Sequence, residues 1–371
     1  MKGKKLTYIV SDIDKSLHFE WITPYLKTEF QLSFILIGRR DSALEDFLKS
    51  HDVPVFPISY SRKADLVHVW LRIFKILFKY RPDIVHTHLW KANLLGLPAA
   101  WLAGISKRIY TRHHATIHYK EFPSGLKWDR LNNRMASQII AISKNVEHLL
   151  IECDKAERKK VRLLHHGFAF SYFQDVTADR INYLYEKYKI SRYHHPVVGV
   201  ISRFTEWKGV QFIIPAFEKL RISFPLAHLI LANAHGNYED AIDRLLTKLP
   251  ENSFTKIGFE NDLAALYKLF DIFVHAPVDP DSEAFGQTYV EPLIVGVPCI
   301  FTLSGIAKEF IEHEQNALVV DFEDADQIYV CMKRILHESD LRETLAENGK
   351  RSVTGFTMEK YLKGLKDLYL E

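Results

Sequence analysis

The chain predicts an α/β fold built as two doubly wound domains. Strand-like and helix-like segments alternate nearly throughout, the pattern of parallel sheets whose crossovers are helices. The alternation breaks once, over 175–195, where the chain turns polar and rich in tyrosine and histidine, and it restarts at Pro196. At 371 residues the chain is long enough for two substantial cores. We therefore place one domain at 1–190 and a second at 191–355.

In the first half, Leu6–Val10, Leu32–Gly38, Val53–Ser59, Ile84–His88, Arg108–His113, Gln138–Ser143 and Val161–His165 read as strands. Phe19–Lys27, Ala64–Tyr80, Ala92–Ala103 and Asn145–Ile151 read as helices between them. The second half repeats the scheme. Its strands are Val197–Ser202, His228–Asn233, Phe254–Ile257, Ile272–His275, Cys299–Thr302 and Leu318–Val320. Its helices are Val210–Leu220, Asp240–Leu249, Leu263–Phe270 and Ala325–Leu336. Apolar spacing predicts a last amphipathic helix over Met358–Tyr369, with Phe356, Tyr361, Leu362 and Leu365 as its packing face.

Composition excludes several classes. Hydrophobic residues at 47% and charged residues at 26% are those of an ordinary globular protein. Cys153, Cys299 and Cys331 are far apart and odd in number, which argues for a reducing compartment and against a disulfide framework. No signal-peptide core and no membrane-length apolar run is present, so a cytoplasmic location is expected. The net charge of +3 hides an asymmetry: residues 1–190 carry 31 Lys and Arg against 19 Asp and Glu, the remainder 18 against 27. The basic half could face an anionic acceptor or the inner face of a membrane. No nucleic-acid partner is expected.

The most informative stretch is Asp281–Pro298, Asp-Ser-Glu-Ala-Phe-Gly-Gln-Thr-Tyr-Val-Glu-Pro-Leu-Ile-Val-Gly-Val-Pro. A buried strand runs into a proline-bearing loop, and a helix is expected to begin near Gly286. Its first free N–H groups, near Gly286, Gln287 and Thr288, would form an anion site at the strand's carboxyl end. Glu283 and Glu291 flank that site. A carboxylate on each side of a phosphate site suits a ligand with both phosphate and sugar hydroxyls.

This stretch resembles the signature of the retaining, nucleotide-sugar-dependent glycosyltransferases of the GT-B fold, the group 1 and family 4 type. The resemblance implies two Rossmann-like domains facing across a cleft, with the last helix (356–371) packing back on the first. It implies that Glu283 meets the transferred sugar, that Gly286, Gln287 and Thr288 meet sugar and phosphate, and that Glu291 holds the ribose diol. Phe285, inside the motif, joins the donor-binding set.

Ser202-Arg203-Phe204-Thr205-Glu206-Trp207-Lys208-Gly209 strengthens the resemblance. Arg203 follows a buried strand and Lys208 opens a helix, the family's arrangement for clamping the donor diphosphate. Two fixed cations there would stabilise charge growing on the leaving nucleotide. Phe259, after another strand, stands where the family grips the base. Gly305 lies in a segment like the family's second phosphate loop. Thr111-Arg112-His113-His114 matches the position of a histidine that contacts the donor sugar, and strand register selects His113.

Elsewhere the pattern departs. The first loop, Ser11-Asp12-Ile13-Asp14-Lys15-Ser16, replaces a glycine-rich phosphate loop, and a turn is the simplest reading of its aspartates. His86 and His88 share a strand face and are equally well structural or functional. On helix Ala64–Tyr80, Arg72, Lys75 and Lys79 form a basic stripe among Trp70, Phe74 and Phe78, which suits either a solvated face or a lipid headgroup layer.

The resemblance implies transfer from a UDP- or GDP-sugar to a glycan or lipid-linked acceptor, in bacterial surface-polysaccharide or lipopolysaccharide synthesis. Catalysis would rest on Glu283, His113, Arg203 and Lys208, with no cofactor and no metal. In the front-face mechanism proposed for the family the leaving phosphate takes the acceptor's proton. Three alternatives stay open on sequence alone: a nucleotide-sugar 2-epimerase of the same fold, a metal-dependent hydrolase using His86, His88 and His113 with Asp12, and an inactive sugar-nucleotide-binding module.

Overall fold

The computed structural model describes residues 3–38 and 41–371. The chain divides into two compact units, Met1–Phe168 with Phe356–Glu371, and Ala169–Gly355.

The first unit is built on a seven-stranded parallel sheet. Its strands are β1 (Lys5–Ser11), β2 (Gln31–Ile37), β3 (Val55–Ile58), β4 (Ile84–His88), β5 (Lys107–Arg112), β6 (Gln138–Ala141) and β7 (Val161–Leu163), in the order β3-β2-β1-β4-β5-β6-β7. The second unit carries β8 (Val197–Ile201), β9 (His228–Ala232), β10 (Phe254–Ile257), β11 (Ile272–His275), β12 (Cys299–Phe301) and β13 (Leu318–Val319), in the order β10-β9-β8-β11-β12-β13. The central strands are continuous apolar runs because helices cover both faces of a parallel sheet. Residues 6–11 of β1 and all of β8 are buried.

In each sheet the winding reverses at one place, between β1 and β4 and between β8 and β11. Loops diverge at the carboxyl ends of such strand pairs and leave a crevice for ligands. The segments singled out in the sequence begin there: Asp12 after β1, His88 at the end of β4, Arg203 after β8, and the Glu283 loop after β11.

Every expected strand is present, with ends shifted by at most two residues. Helices Ala43–Ser50, Leu126–Met135, Ala178–Lys187 and Ser339–Ser352 were not anticipated. Leu126–Met135 buries Asp129, Asn132 and Asn133, so its inner face is polar and gives no hydrophobic period. Ala178–Lys187 occupies the stretch read as a polar linker and buries only Leu184. Its charges join it to the second unit, with Arg180 Nη2 2.6 Å from Asp262 and Lys187 Nζ 2.7 Å from Glu260.

The helix expected from Gly286 is shorter than a full sheet-packing helix. A 3₁₀ turn, Gln287–Tyr289, leads into Glu291–Val295, which stops at Gly296 with φ +85. Helix Met358–Leu370 belongs to the first unit, and Phe356, Tyr361, Leu362 and Leu365 are buried. The chain passes this helix closely at Gly167, where a Cβ would lie 2.5 Å from that of Tyr361. Tyr369 reaches into the sheet: its hydroxyl is 2.6 Å from that of Tyr8 and 2.6 Å from Nδ1 of His86.

Candidate functional site

In the second unit the loops after β8 and β11 meet. The 3₁₀ turn Glu206–Lys208 ends at Gly209, whose φ of +72 is left-handed. A Cβ at Gly209 would fall 1.8 Å from the carbonyl oxygen of Ala276, so only glycine permits this approach to the β11 exit. Val278 N–H donates to the Trp207 carbonyl at 3.1 Å and ties the two loops. Lys208 thereby reaches Glu283, with Nζ 2.5 Å from Oε1, and lies over the Trp207 ring at 4.5 Å.

Glu283 is 5% exposed. Its N–H donates to Ser304 Oγ at 3.1 Å, and its Oε1 also accepts from His275 Nε2 at 3.0 Å. Gly305, φ +56, passes so close that a Cβ would lie 2.7 Å from that of Glu283. Burial pushes the Glu283 carboxyl up, but the Lys208 charge and the His275 hydrogen bond outweigh it and hold the carboxyl down at about 2. Glu283 is thus a firmly ionised group with two donors on one oxygen.

Glu291 is different. It is buried at the first position of its helix and accepts from the Tyr267 hydroxyl at 2.7 Å. Burial raises its carboxyl to about 7, the Tyr267 hydrogen bond opposing only in part. Arg203 is exposed, and among the described residues no carboxylate pairs with its guanidinium. Gly286, φ +84, leads Gln287 and Thr288, which are exposed and half-buried.

The structure therefore brings Lys208, Glu283, Gly305 and the Gly286 turn together. Phe259 is 64% exposed, so its ring does not plug the core. Phe285 is 3% exposed, and its carbonyl accepts from Ile306 N–H, so its ring offers no open face. Sequence reasoning missed His275 and Tyr267. His275 had one signal, a histidine closing the apolar strand Ile-Phe-Val-His. Tyr267 had none, since 24 residues separate it from Glu291.

In the first unit His113 follows β5 and lies with Nε2 3.0 Å from Nδ1 of His88. The His166 ring stacks on it at 5.7 Å. Burial, with His18 and His114 nearby, takes the His113 pKa down to about 3. His114 is committed elsewhere: its Nε2 is 3.1 Å from Asp129, which also meets His118 Nδ1 at 2.6 Å and Arg112 at 2.9 Å.

The hydrolase constellation drawn from sequence is not assembled. Asp12 accepts from Tyr60 and pairs with Lys91 at 3.1 Å, and both nitrogens of His86 are taken by Tyr369 and Thr111. Among the described residues the metal-like grouping is instead His114, His118 and Asp129, with ligand atoms within 4.8 Å of one another. The Arg112 guanidinium already shares the Asp129 oxygen, and a cation placed there would face that charge.

Comparison with known proteins follows the same division. The model described as "Glycosyltransferase Family 4" matches residues 29–171, and "Glycosyl transferases group 1" matches 186–352. The chain is a GT-B glycosyltransferase of this group 1 and family 4 type. A similar curated glycosyltransferase is the capsular polysaccharide biosynthesis glycosyltransferase CapM of Staphylococcus aureus. It is 27% identical over 311 residues, spanning 81% of this chain and 79% of CapM. The alpha-monoglucosyldiacylglycerol synthase of Acholeplasma laidlawii is 24% identical, over 81% and 78% of the two chains. Among solved structures, Anabaena Alr3699/HepE in complex with UDP and glucose superposes with a TM-score of 0.84 at 19% identity, covering 98% of this glycosyltransferase and 99% of HepE.

Proposed function

We propose that this glycosyltransferase moves a sugar, with retention of configuration, from a UDP- or GDP-sugar to a glycan or lipid-linked acceptor in bacterial surface-glycan synthesis. One observation carries the reading: Lys208 and Glu283 lie side by side at the β8 and β11 exits, while Arg203 nearby in sequence has no acidic partner among the described residues. A donor diphosphate would engage Arg203 and give the Lys208 ammonium a second anionic neighbour. Glu283, held at about 2, is too weak a base to take a proton near neutrality and serves as an acceptor for a sugar hydroxyl. Glu291 would take the ribose diol and His113 the transferred sugar; His113 is preferred to His114 because Asp129 occupies the latter.

HepE, a neighbour in fold, was solved with UDP and glucose, which supports a nucleotide-sugar donor. By their names, CapM and the A. laidlawii synthase point to a polysaccharide and a glycolipid, so both acceptor classes belong in the test. Labelled UDP- and GDP-sugars should release nucleoside diphosphate faster with a lipid-linked acceptor, and the product should keep the donor's anomeric configuration by NMR. Release of a free epimer without acceptor, or an inverted product, would overturn the reading.

Peripheral membrane contact is a second reading, carried by helix Leu66–Tyr80. Leu71 and Phe78 are exposed beside Arg72, Lys75 and Lys79, while Val69, Ile73 and Leu77 are buried. Among the described residues no helix is long and apolar enough to cross a membrane. Sedimentation with anionic but not neutral vesicles is expected, and its persistence after Lys75→Glu with Lys79→Glu would count against this helix.

A further inference from the structure

We propose that the buried His88 is a positioning residue that sets the tautomer of His113, leaving the His113 proton on Nδ1 as a hydrogen-bond donor. The proposal rests on the reading that His113 meets the transferred sugar, and it states which atom does so.

His88 closes β4, is 1% exposed, and is packed against Tyr8 at 5.3 Å and edge-on to Phe19 at 5.1 Å. Its Nε2 is buried and has no hydrogen-bond partner among the described residues. Its Nδ1 faces His113 Nε2 at 3.0 Å. One proton must lie between those two nitrogens. If His113 supplied it, neutral His88 would carry its own proton on Nε2, an N–H buried with nothing to accept it. If His88 supplies it, Nε2 is left with a bare lone pair, the cheaper vacancy, since orphaned buried N–H groups are the rarer kind. His88 therefore donates, His113 Nε2 accepts, and the single proton of neutral His113 sits on Nδ1. Burial and the neighbouring histidines keep both rings neutral. His86 does not compete, because Tyr369 and Thr111 hold its two nitrogens. His113 is half-buried, and its ring makes no other hydrogen bond among the described residues. It would thus offer a sugar oxygen an N–H, and would not accept a proton through that atom.

The test is a long-range proton–nitrogen correlation spectrum of the full chain labelled with ¹⁵N-histidine at neutral pH. The wild type should show His113 protonated at Nδ1. His88→Asn keeps an N–H donor at the same place, and should keep both the tautomer and turnover of whichever donor the wild type cleaves among UDP-glucose, UDP-galactose and GDP-mannose. His88→Leu should shift the His113 proton toward Nε2 and lower kcat about tenfold while KM for the donor changes little. A wild-type His113 protonated on Nε2, or a tautomer indifferent to His88→Leu, overturns the proposal. Should the leucine variant not fold, the wild-type and asparagine spectra decide. Full turnover in His113→Ala, with the tautomer as stated in the wild type, would instead count against His113 as the sugar contact.

Discussion

Lys208 Nζ stands 2.5 Å from Glu283 Oε1, although 75 residues separate them in the chain. Both side chains are largely withdrawn from water, at 14% and 7% exposure. A buried pair of this kind is costly to break from one side, because the surviving charge has no partner.

Lys208→Met should therefore destabilise the protein by about 3–5 kcal/mol and abolish nearly all turnover. Adding Glu283→Gln removes the stranded charge. Urea denaturation should show stability recovering in the double variant while glycosyl transfer stays absent. Recovery of both would mean that the pair is a structural tie only.

Glu291 predicts a pH dependence of the opposite sign to an ordinary salt-bridged acid. Its folded pKa, about 7, lies above the usual 4.5, so the folded state binds more protons than the unfolded chain between those values. Stability should fall as pH rises through that window and level off above it, a loss on the order of 3 kcal/mol from this group. Glu291→Gln should flatten the slope in melts taken from pH 5 to 8 and weaken nucleotide binding. An unchanged slope would show that the carboxyl does not titrate there.

Arg203 is exposed and unpaired among the described residues, so Arg203→Ala should change stability by less than about 0.5 kcal/mol. Donor kcat/KM should nevertheless fall by about a hundredfold if the guanidinium grips the diphosphate. Equal activity in a steady-state assay would remove Arg203 from the donor site.

If Arg203 and Lys208 neutralise the leaving group as proposed, turnover should survive excess EDTA. A complete loss restored by added manganese would transfer that task to a bound ion.

The alternation of apolar strands made both sheets legible, and glycines at left-handed or crowded positions, Gly209 and Gly305, marked the loops of the candidate site. What escaped was polar. Helix Leu126–Met135 hides its inner face because that face is Asp129, Asn132 and Asn133. Of the partners of the two glutamates, His275 closes the strand that leads into the Glu283 loop, whereas Tyr267 comes from a helix 24 residues before Glu291 and no local spacing announces that meeting. Phe285, inside the informative motif, turns its ring into the core, which its place in the motif does not reveal.

The closing helix has a consequence for biosynthesis. Because Tyr369 is fully buried against Tyr8 and His86, the sheet of the first unit lacks part of its own interior until residues 358–370 have left the ribosome. Tyr8 in β1 waits for a partner 361 residues further along the chain. Loss of Met358–Leu370 would injure a sheet one of whose inner strands, β1, lies far away in sequence.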